Sequence, residues 1–213
     1  HINKTSNEIE TRILEQPTWL LQLEAYAKEH RVPIIDRISL ELLLQLIRLH
    51  KPKRILEIGT AIGYSALCMH DTCPDAEIIT LEKNEDMYAL AIDHIRKYRK
   101  KDQIRLIKGD ALDSIKKLEE TNHSFDFVFI DAAKGQYKRF VEAVEPLLTK
   151  GSLIVCDNVL FRQYVTMELN EVPKRYRSLV KKIKAFNEFM LANDAYHTNL
   201  VPIGDGLLIS IKK

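Results

Sequence analysis

The stretch RILEIGTAIGYSA at residues 54–66 decides how the rest of the chain is read. Arg54 to Ile58 is a short apolar run of the kind that fills a strand buried on both faces of a parallel sheet. Gly59 and Gly63 follow as a GxxxG turn, where glycine lets backbone come close to a ligand and lets the next helix pack tightly on the strand. The spacing is not the GxGxxG of a dinucleotide fold, and no Gly-Lys-Ser/Thr follows to make a P-loop. Taken alone, the turn reads equally as an ordinary strand-to-helix connection.

Downstream, the same rhythm repeats. Glu77 to Leu81, Ile104 to Ile107, Phe125 to Ile130 and Ser152 to Cys156 are further apolar runs, separated by helical segments of roughly 8–16 residues. Five parallel strands in βαβ units are expected. Asn199 to Ile203 and Leu207 to Ile211 flank Gly204-Asp205-Gly206, which predicts a closing antiparallel hairpin. Upstream, Leu20, Leu21, Leu23 and Ala27 after Pro17, and Ile38, Leu42, Leu46 and Leu49 after Asp36, predict two helices, the second capped by Asp36. The expectation is a doubly wound α/β sheet, mostly parallel, preceded by N-terminal helices. One domain over 1–213 is expected, with a helical cap at 1–50 and the sheet-bearing core at 51–213.

Composition sets outer limits. Across 213 residues, 46% are hydrophobic and 29% charged, the balance of a globular protein and far from disordered or fibrous extremes. The formal net charge of +2 excludes nothing by itself, but cations cluster. Lys51, Lys53 and Arg54 form one group, and residues 96–101 carry a second that includes Arg96 and Lys97. Lys174, Arg175, Arg177, Lys181, Lys182 and Lys184 form a third. Each reads first as a solvated helix face. Cys68, Cys73 and Cys156 have no CxxC spacing, and Cys156 ends a buried run, which suggests a reducing, cytoplasmic setting. Neither a run of ~20 apolar residues nor a signal pattern occurs, so no membrane partner is expected.

In sheets of this type, ligands sit at the carboxyl ends of the strands. Glu82 closes the second run and is a candidate acceptor for ribose hydroxyls, or else a solvated strand-end carboxylate. Asp110 and the Ala111 amide follow the third run and could meet an adenine edge, although Asp110 reads equally as a helix N-cap. Asp131 ends the fourth run, and Asp157 with Asn158 ends the fifth. Two carboxylates and an amide oxygen at one sheet edge suit a hard cation such as Mg²⁺. Lys134 could stabilise an oxyanion beside that cation or accept a proton, with a surface lysine as the plain alternative.

With these residues assembled, the chain resembles the catechol and caffeoyl-CoA type O-methyltransferases of the class I methyltransferase fold, from about Val32 onward. The likeness is carried by LEIGTAIGYSA at 56–66, Glu82, GDA at 109–111, DAAK at 131–134, DNVL at 157–160 and PIGDG at 202–206. The resemblance implies that Glu57, Gly59, Ser65, Glu82, Asp110, Ala111 and Asp131 hold S-adenosyl-L-methionine, with backbone near Ile35 covering it. It implies Asp131, Asp157 and Asn158 as ligands of Mg²⁺ or another divalent cation, and Lys134 with Asp131 as the catalytic pair. Animal catechol enzymes hold the second hydroxyl with a glutamate before the final hairpin; Asn199 stands there, which speaks against a simple catechol substrate.

LEAYAKEHRVPI at 23–34, DAAKGQY at 131–137 and DNVLF at 157–161 resemble more closely the bacterial tRNA 5-hydroxyuridine methyltransferases. That resemblance implies tRNA as partner, its anticodon loop presenting 5-hydroxyuridine at the wobble position. Arg54, Lys174, Arg175 and Arg177 are then expected to meet tRNA phosphates. A homodimer is the expected assembly. The rivals are a small-molecule O-methyltransferase acting on a phenol or coenzyme A thioester, and a non-catalytic nucleotide- or RNA-binding module.

Overall fold

The structure is a computed structural model describing residues 16–98, 102–131 and 135–213. Helices α1 (Thr18–Glu29) and α2 (Arg37–His50) come first. The remainder alternates: β1 (Arg54–Ile58), α3 (Tyr64–Thr72), β2 (Glu77–Glu82), α4 (Glu85–Lys97), β3 (Ile104–Lys108), α5 (Ala111–Glu120), β4 (Phe125–Ile130), α6 (Tyr137–Val144) and β5 (Leu148–Asp157). Short 3₁₀ turns lead into α7 (Arg177–Ala192), then β6 (Tyr196–Val201) and β7 (Leu207–Lys212) close the chain. Among the described residues the strands form one sheet in the order β3-β2-β1-β4-β5-β7-β6. β1 to β5 pair in parallel with one another, whereas β7 runs antiparallel to both β5 and β6.

From β1 the chain winds outward through β2 to β3, then returns to place β4 on the other side of β1. That reversal opens a crevice at the carboxyl ends of β1 and β4, the place where such sheets hold ligands. Alternation along each strand feeds two cores. Ile55, Phe127, Phe129 and Val155 pack under α1 to α4, while Leu56, Val128, Ile130 and Cys156 pack under α5 to α7.

Several expectations need adjustment. Asp36 does cap α2, its carboxylate accepting from the Ser39 amide at 2.9 Å. The buried face of α2, however, is Leu40, Leu43, Leu44 and Ile47; Ile38, Leu42 and Leu46 are half-buried, and Leu49 is 75% exposed. The helix is apolar on two sides, and periodicity alone does not say which meets the sheet. β5 starts at Leu148 rather than Ser152, because a register shift opposite Phe125 admits the polar Thr149-Lys150-Gly151 segment. Ser152 Oγ holds that irregularity by donating to the Phe125 carbonyl at 3.1 Å. β6 begins at Tyr196, which places Asn199 inside the strand and exposed.

The hairpin turn is packed hard against the end of β5. Val159 and Leu160 amides donate to the Gly206 and Asp205 carbonyls at 3.3 and 2.8 Å. Gly206 has φ +86°, and a Cβ there would lie 2.6 Å from Leu160 Cγ and 3.0 Å from its backbone nitrogen. Gly206→Ala therefore meets a left-handed backbone and a contact that includes main chain. It is expected to cost about 2–4 kcal/mol in urea-monitored unfolding, against near neutrality if the turn can relax.

Candidate active site

Glu57 is the most deeply buried acid of the crevice, at 0% exposure. The alternation of β1 points it toward the α1–α4 layer, and its carboxyl accepts from Ser65 Oγ at the start of α3 and from Thr80 Oγ1 on β2 at 2.6 Å. Thr60 joins Thr80 through a 2.6 Å hydroxyl contact. Burial drives the Glu57 carboxyl up to about 7, while the Ser65 and Thr80 hydroxyls pull the other way. Sequence reasoning singled out Glu57 and Ser65 but passed over Thr60, which lies inside the 56–66 motif, and Thr80, which no motif marks.

Glu82 stands at the end of β2 and grips the glycine turn: its two oxygens accept from the Ala61 amide at 2.7 Å and the Asn84 amide at 2.8 Å. The turn has left-handed backbone at Gly59, Ala61 and Gly63. A carboxylate so held is fixed in place, and its remaining lone pairs are available to hydroxyl donors. Asp110 caps α5 by accepting from the Asp113 amide at 3.2 Å, which is the N-cap reading of this residue. Ala111 opens the same helix. Ile35 is buried in the loop between α1 and α2.

Asp131 lies across the switch point from the glycine turn, its amide donating to the Ile58 carbonyl at 2.9 Å. Burial, Asp157 and Glu57 hold its carboxyl well above the usual carboxylate range. Asp157, 5% exposed, is pushed up to about 7, chiefly by burial, with Asp36 and Asp205 adding to it and the Asn158 amide opposing. Its Oδ1 is buried with no hydrogen-bond partner among the described residues. Asn158 turns out of the strand in a left-handed conformation, φ +65°, which asparagine tolerates better than most residues. Tyr137, at the start of α6, donates its hydroxyl to the Asp157 carbonyl at 2.5 Å.

This arrangement suits a divalent cation. Two crowded carboxyls repel each other, burial penalises their charge, and one oxygen is left orphaned; a dication relieves all three. No group of three His, Cys, Asp or Glu side chains with ligand spacing occurs among the described residues; the residues that would hold a cation here are the two carboxylates and the Asn158 amide. Mg²⁺ is ordinarily held by one or two carboxylates, with water or substrate completing its shell. Lys134 falls outside the described residues. Asp36 and Asp205, absent from the sequence-derived set, border the same edge through their influence on Asp157.

The four basic positions separate. Lys174 and Arg175 are exposed on the turn before α7. Arg177 is not a free cation: its guanidinium donates to the Val172 and Asn170 carbonyls at 2.8 and 3.1 Å and closes the preceding loop. Arg54 begins β1, at the sheet edge opposite the crevice, 3.5 Å from Glu77.

Comparison with known proteins agrees with this geometry. The profile of the O-methyltransferase family matches residues 6–213. Caffeoyl-CoA O-methyltransferase of Populus kitakamiensis is 30% identical over 84% of this chain and 76% of its own length, and caffeoyl-CoA O-methyltransferase 1 of Zea mays is 32% identical over 79% and 67%. A Staphylococcus aureus crystal structure with a provisional caffeoyl-CoA O-methyltransferase name superimposes with TM-score 0.92 at 37% identity, covering 100% of both chains. The SAH-bound methyltransferase of Podospora anserina superimposes with TM-score 0.85 at 28% identity, covering 99% of this chain and 96% of its own. The likeness thus runs along nearly the whole length, and the chain belongs to the O-methyltransferase family.

Proposed function

We propose that this protein uses S-adenosyl-L-methionine and a divalent cation to methylate 5-hydroxyuridine at the tRNA wobble position, giving 5-methoxyuridine. The observation that carries the metal-assisted chemistry is the orphaned Asp157 oxygen beside Asp131. The donor, when bound, supplies an electrophilic methyl and leaves as S-adenosylhomocysteine, the product held by the Podospora relative. A divalent cation held by Asp131, Asp157 and Asn158 would favour the ionised hydroxyl and orient neighbouring oxygens.

The chain's own residues do the rest. Glu82, fixed by the glycine turn, would accept from ribose hydroxyls; Asp110 and the Ala111 amide would hold the adenine; Glu57, Ser65 and the Gly59 backbone would shape the floor of the donor site. Backbone near Ile35 would cover the donor. Lys134, as a neutral amine, would take the proton from the substrate hydroxyl. Such positioning supplies much of the rate without a covalent enzyme intermediate. The 5-hydroxyl and 4-carbonyl of the base are neighbouring oxygens, as the cation site requires. Exposed Lys174 and Arg175 support a polyanionic partner.

The test is incubation with labelled donor, Mg²⁺ and tRNA carrying 5-hydroxyuridine, followed by mass analysis of the digested RNA. EDTA-sensitive 5-methoxyuridine is expected. No transfer to tRNA, with transfer to a phenolic coenzyme A thioester, would overturn the substrate and select the second reading, which the names of the plant relatives favour. A homodimer through the outer apolar side of α2 belongs to this proposal, since Leu49 and Ile211, 75% and 41% exposed, flank the same face of the sheet. Leu49→Glu is then expected to sediment as a monomer at concentrations where the parent sediments as a dimer.

A further inference from the structure

Immediately beyond the strand-end acids, the chain does something costly. Phe161, Arg162 and Gln163 all adopt left-handed backbone, with φ of +42°, +53° and +66°, and none of them is glycine or asparagine. Strain of this kind persists where surrounding structure enforces it and is concentrated at functional sites. Here it is enforced by the hairpin: Leu160 is bonded to Asp205, and the Arg162 amide donates to the Asp205 carboxylate.

The strained turn assembles a small aromatic cluster. Phe161 meets Tyr164 and Tyr176 edge-on at 5.6 and 5.2 Å, and Tyr164 stacks on Tyr176 at 5.6 Å. All three rings are only half-buried. Two exposed guanidiniums lie over the same ring: Arg175 is 4.7 Å from the Tyr176 centroid and Arg162 is 5.4 Å from it. Neither guanidinium forms an ion pair with a carboxylate side chain among the described residues, whereas Arg37, Arg54, Lys108, Lys138 and Lys212 each do.

Half-exposed rings interleaved with guanidiniums that form no ion pair, Arg162 donating to the Tyr176 hydroxyl at 3.4 Å, match one ligand chemistry, an unstacked base next to a phosphate. An ordinary solvated basic face needs no aromatic rings, and an apolar docking patch would not gather cations. We infer that Phe161, Arg162, Tyr164, Arg175 and Tyr176 form a platform for single-stranded RNA, stacking a nucleotide that flanks the reacting base and neutralising its phosphate. This rests on the proposed tRNA reading and adds to it how the loop is held open: the neighbour stacks on protein while the reacting base enters the crevice.

The experiment measures binding of a fluorescently labelled RNA stem-loop with 5-hydroxyuridine in its loop to the full chain saturated with S-adenosylhomocysteine. Four proteins are compared: the parent, Arg162→Gln/Arg175→Gln, Tyr176→Leu and Tyr176→Phe. The double variant is expected to bind about tenfold or more weakly at 0.1 M salt, with a shallower salt dependence by about two phosphate contacts. Tyr176→Leu is expected to lose about tenfold and Tyr176→Phe to stay near the parent, because stacking needs the ring and not the hydroxyl. Melting temperature and calorimetric affinity for S-adenosylhomocysteine identify any variant that has lost its fold. Parent-like RNA affinity in folded double and Tyr176→Leu variants overturns the platform and leaves the substrate reading intact. A parent that binds coenzyme A but not the stem-loop overturns the substrate reading and the platform together.

Discussion

Asp157→Ala is expected to lower kcat/KM for methyl transfer by about 10²–10³-fold, the scale of losing one preorganised electrostatic element of a reaction centre. The parent treated with EDTA should fall to a similar level, and the variant should respond little to added Mg²⁺. Stability is expected to move the other way. Asp157 is 5% exposed with an orphaned oxygen, so the folded, metal-free protein bears a desolvated carboxyl that alanine removes. A melting temperature equal to or above the parent's, together with lost turnover, separates a ligand role from a packing role. Turnover within tenfold of the parent would remove Asp157 from the chemistry.

The second large effect is a pH profile. Glu57 titrates at about 7 in the folded protein against 4.5 for an ordinary glutamate, because burial disfavours its charged form. Between those values the folded chain holds a proton that the unfolded chain has released, so stability is full below about 4.5 and falls as pH rises toward 7. The displacement corresponds to about 3 kcal/mol. Glu57→Gln keeps partners for the Ser65 and Thr80 hydroxyls but does not ionise. Urea unfolding from pH 4.5 to 8 should show the variant gaining on the parent by about that amount across the window, then running parallel. Profiles parallel throughout would mean that Glu57 is solvated on a timescale that static burial does not represent.

What the residues disclosed and what they concealed divide along physical lines. The strands were legible because parallel strands buried on both faces are continuous apolar runs, and the runs from Arg54 and Phe125 coincide with β1 and β4 end to end. The strand-end acids were legible because the carboxyl edge of a doubly wound sheet is where chemistry collects. The facing side of α2 was not, since a helix apolar on two sides carries two equivalent stripes and only packing chooses between them. The Thr149–Ser152 irregularity in β5 was concealed because polar residues at a bulge look like a loop. In the same way, Arg177 looked like a phosphate ligand until its carbonyl partners were seen, since composition records charge and not what the charge already holds.

The cap of α2 reaches further than its own helix. A Cβ on Gly204 would lie 2.1 Å from Asp36 Oδ2 and 2.5 Å from Ser39 Oγ, so the final hairpin turn sits directly on the N-terminus of the second helix. These two segments are synthesised far apart in time. The parallel pairing of β1 to β5 involves neither, whereas the edge that contains Asp157 pairs with Leu207 and is held at Leu160 by the Asp205 carbonyl. Long-range contacts of this kind are made late in folding. A chain cut before residue 204 is therefore expected to lose the packing that borders Asp157, read as a lowered melting temperature of the truncated protein.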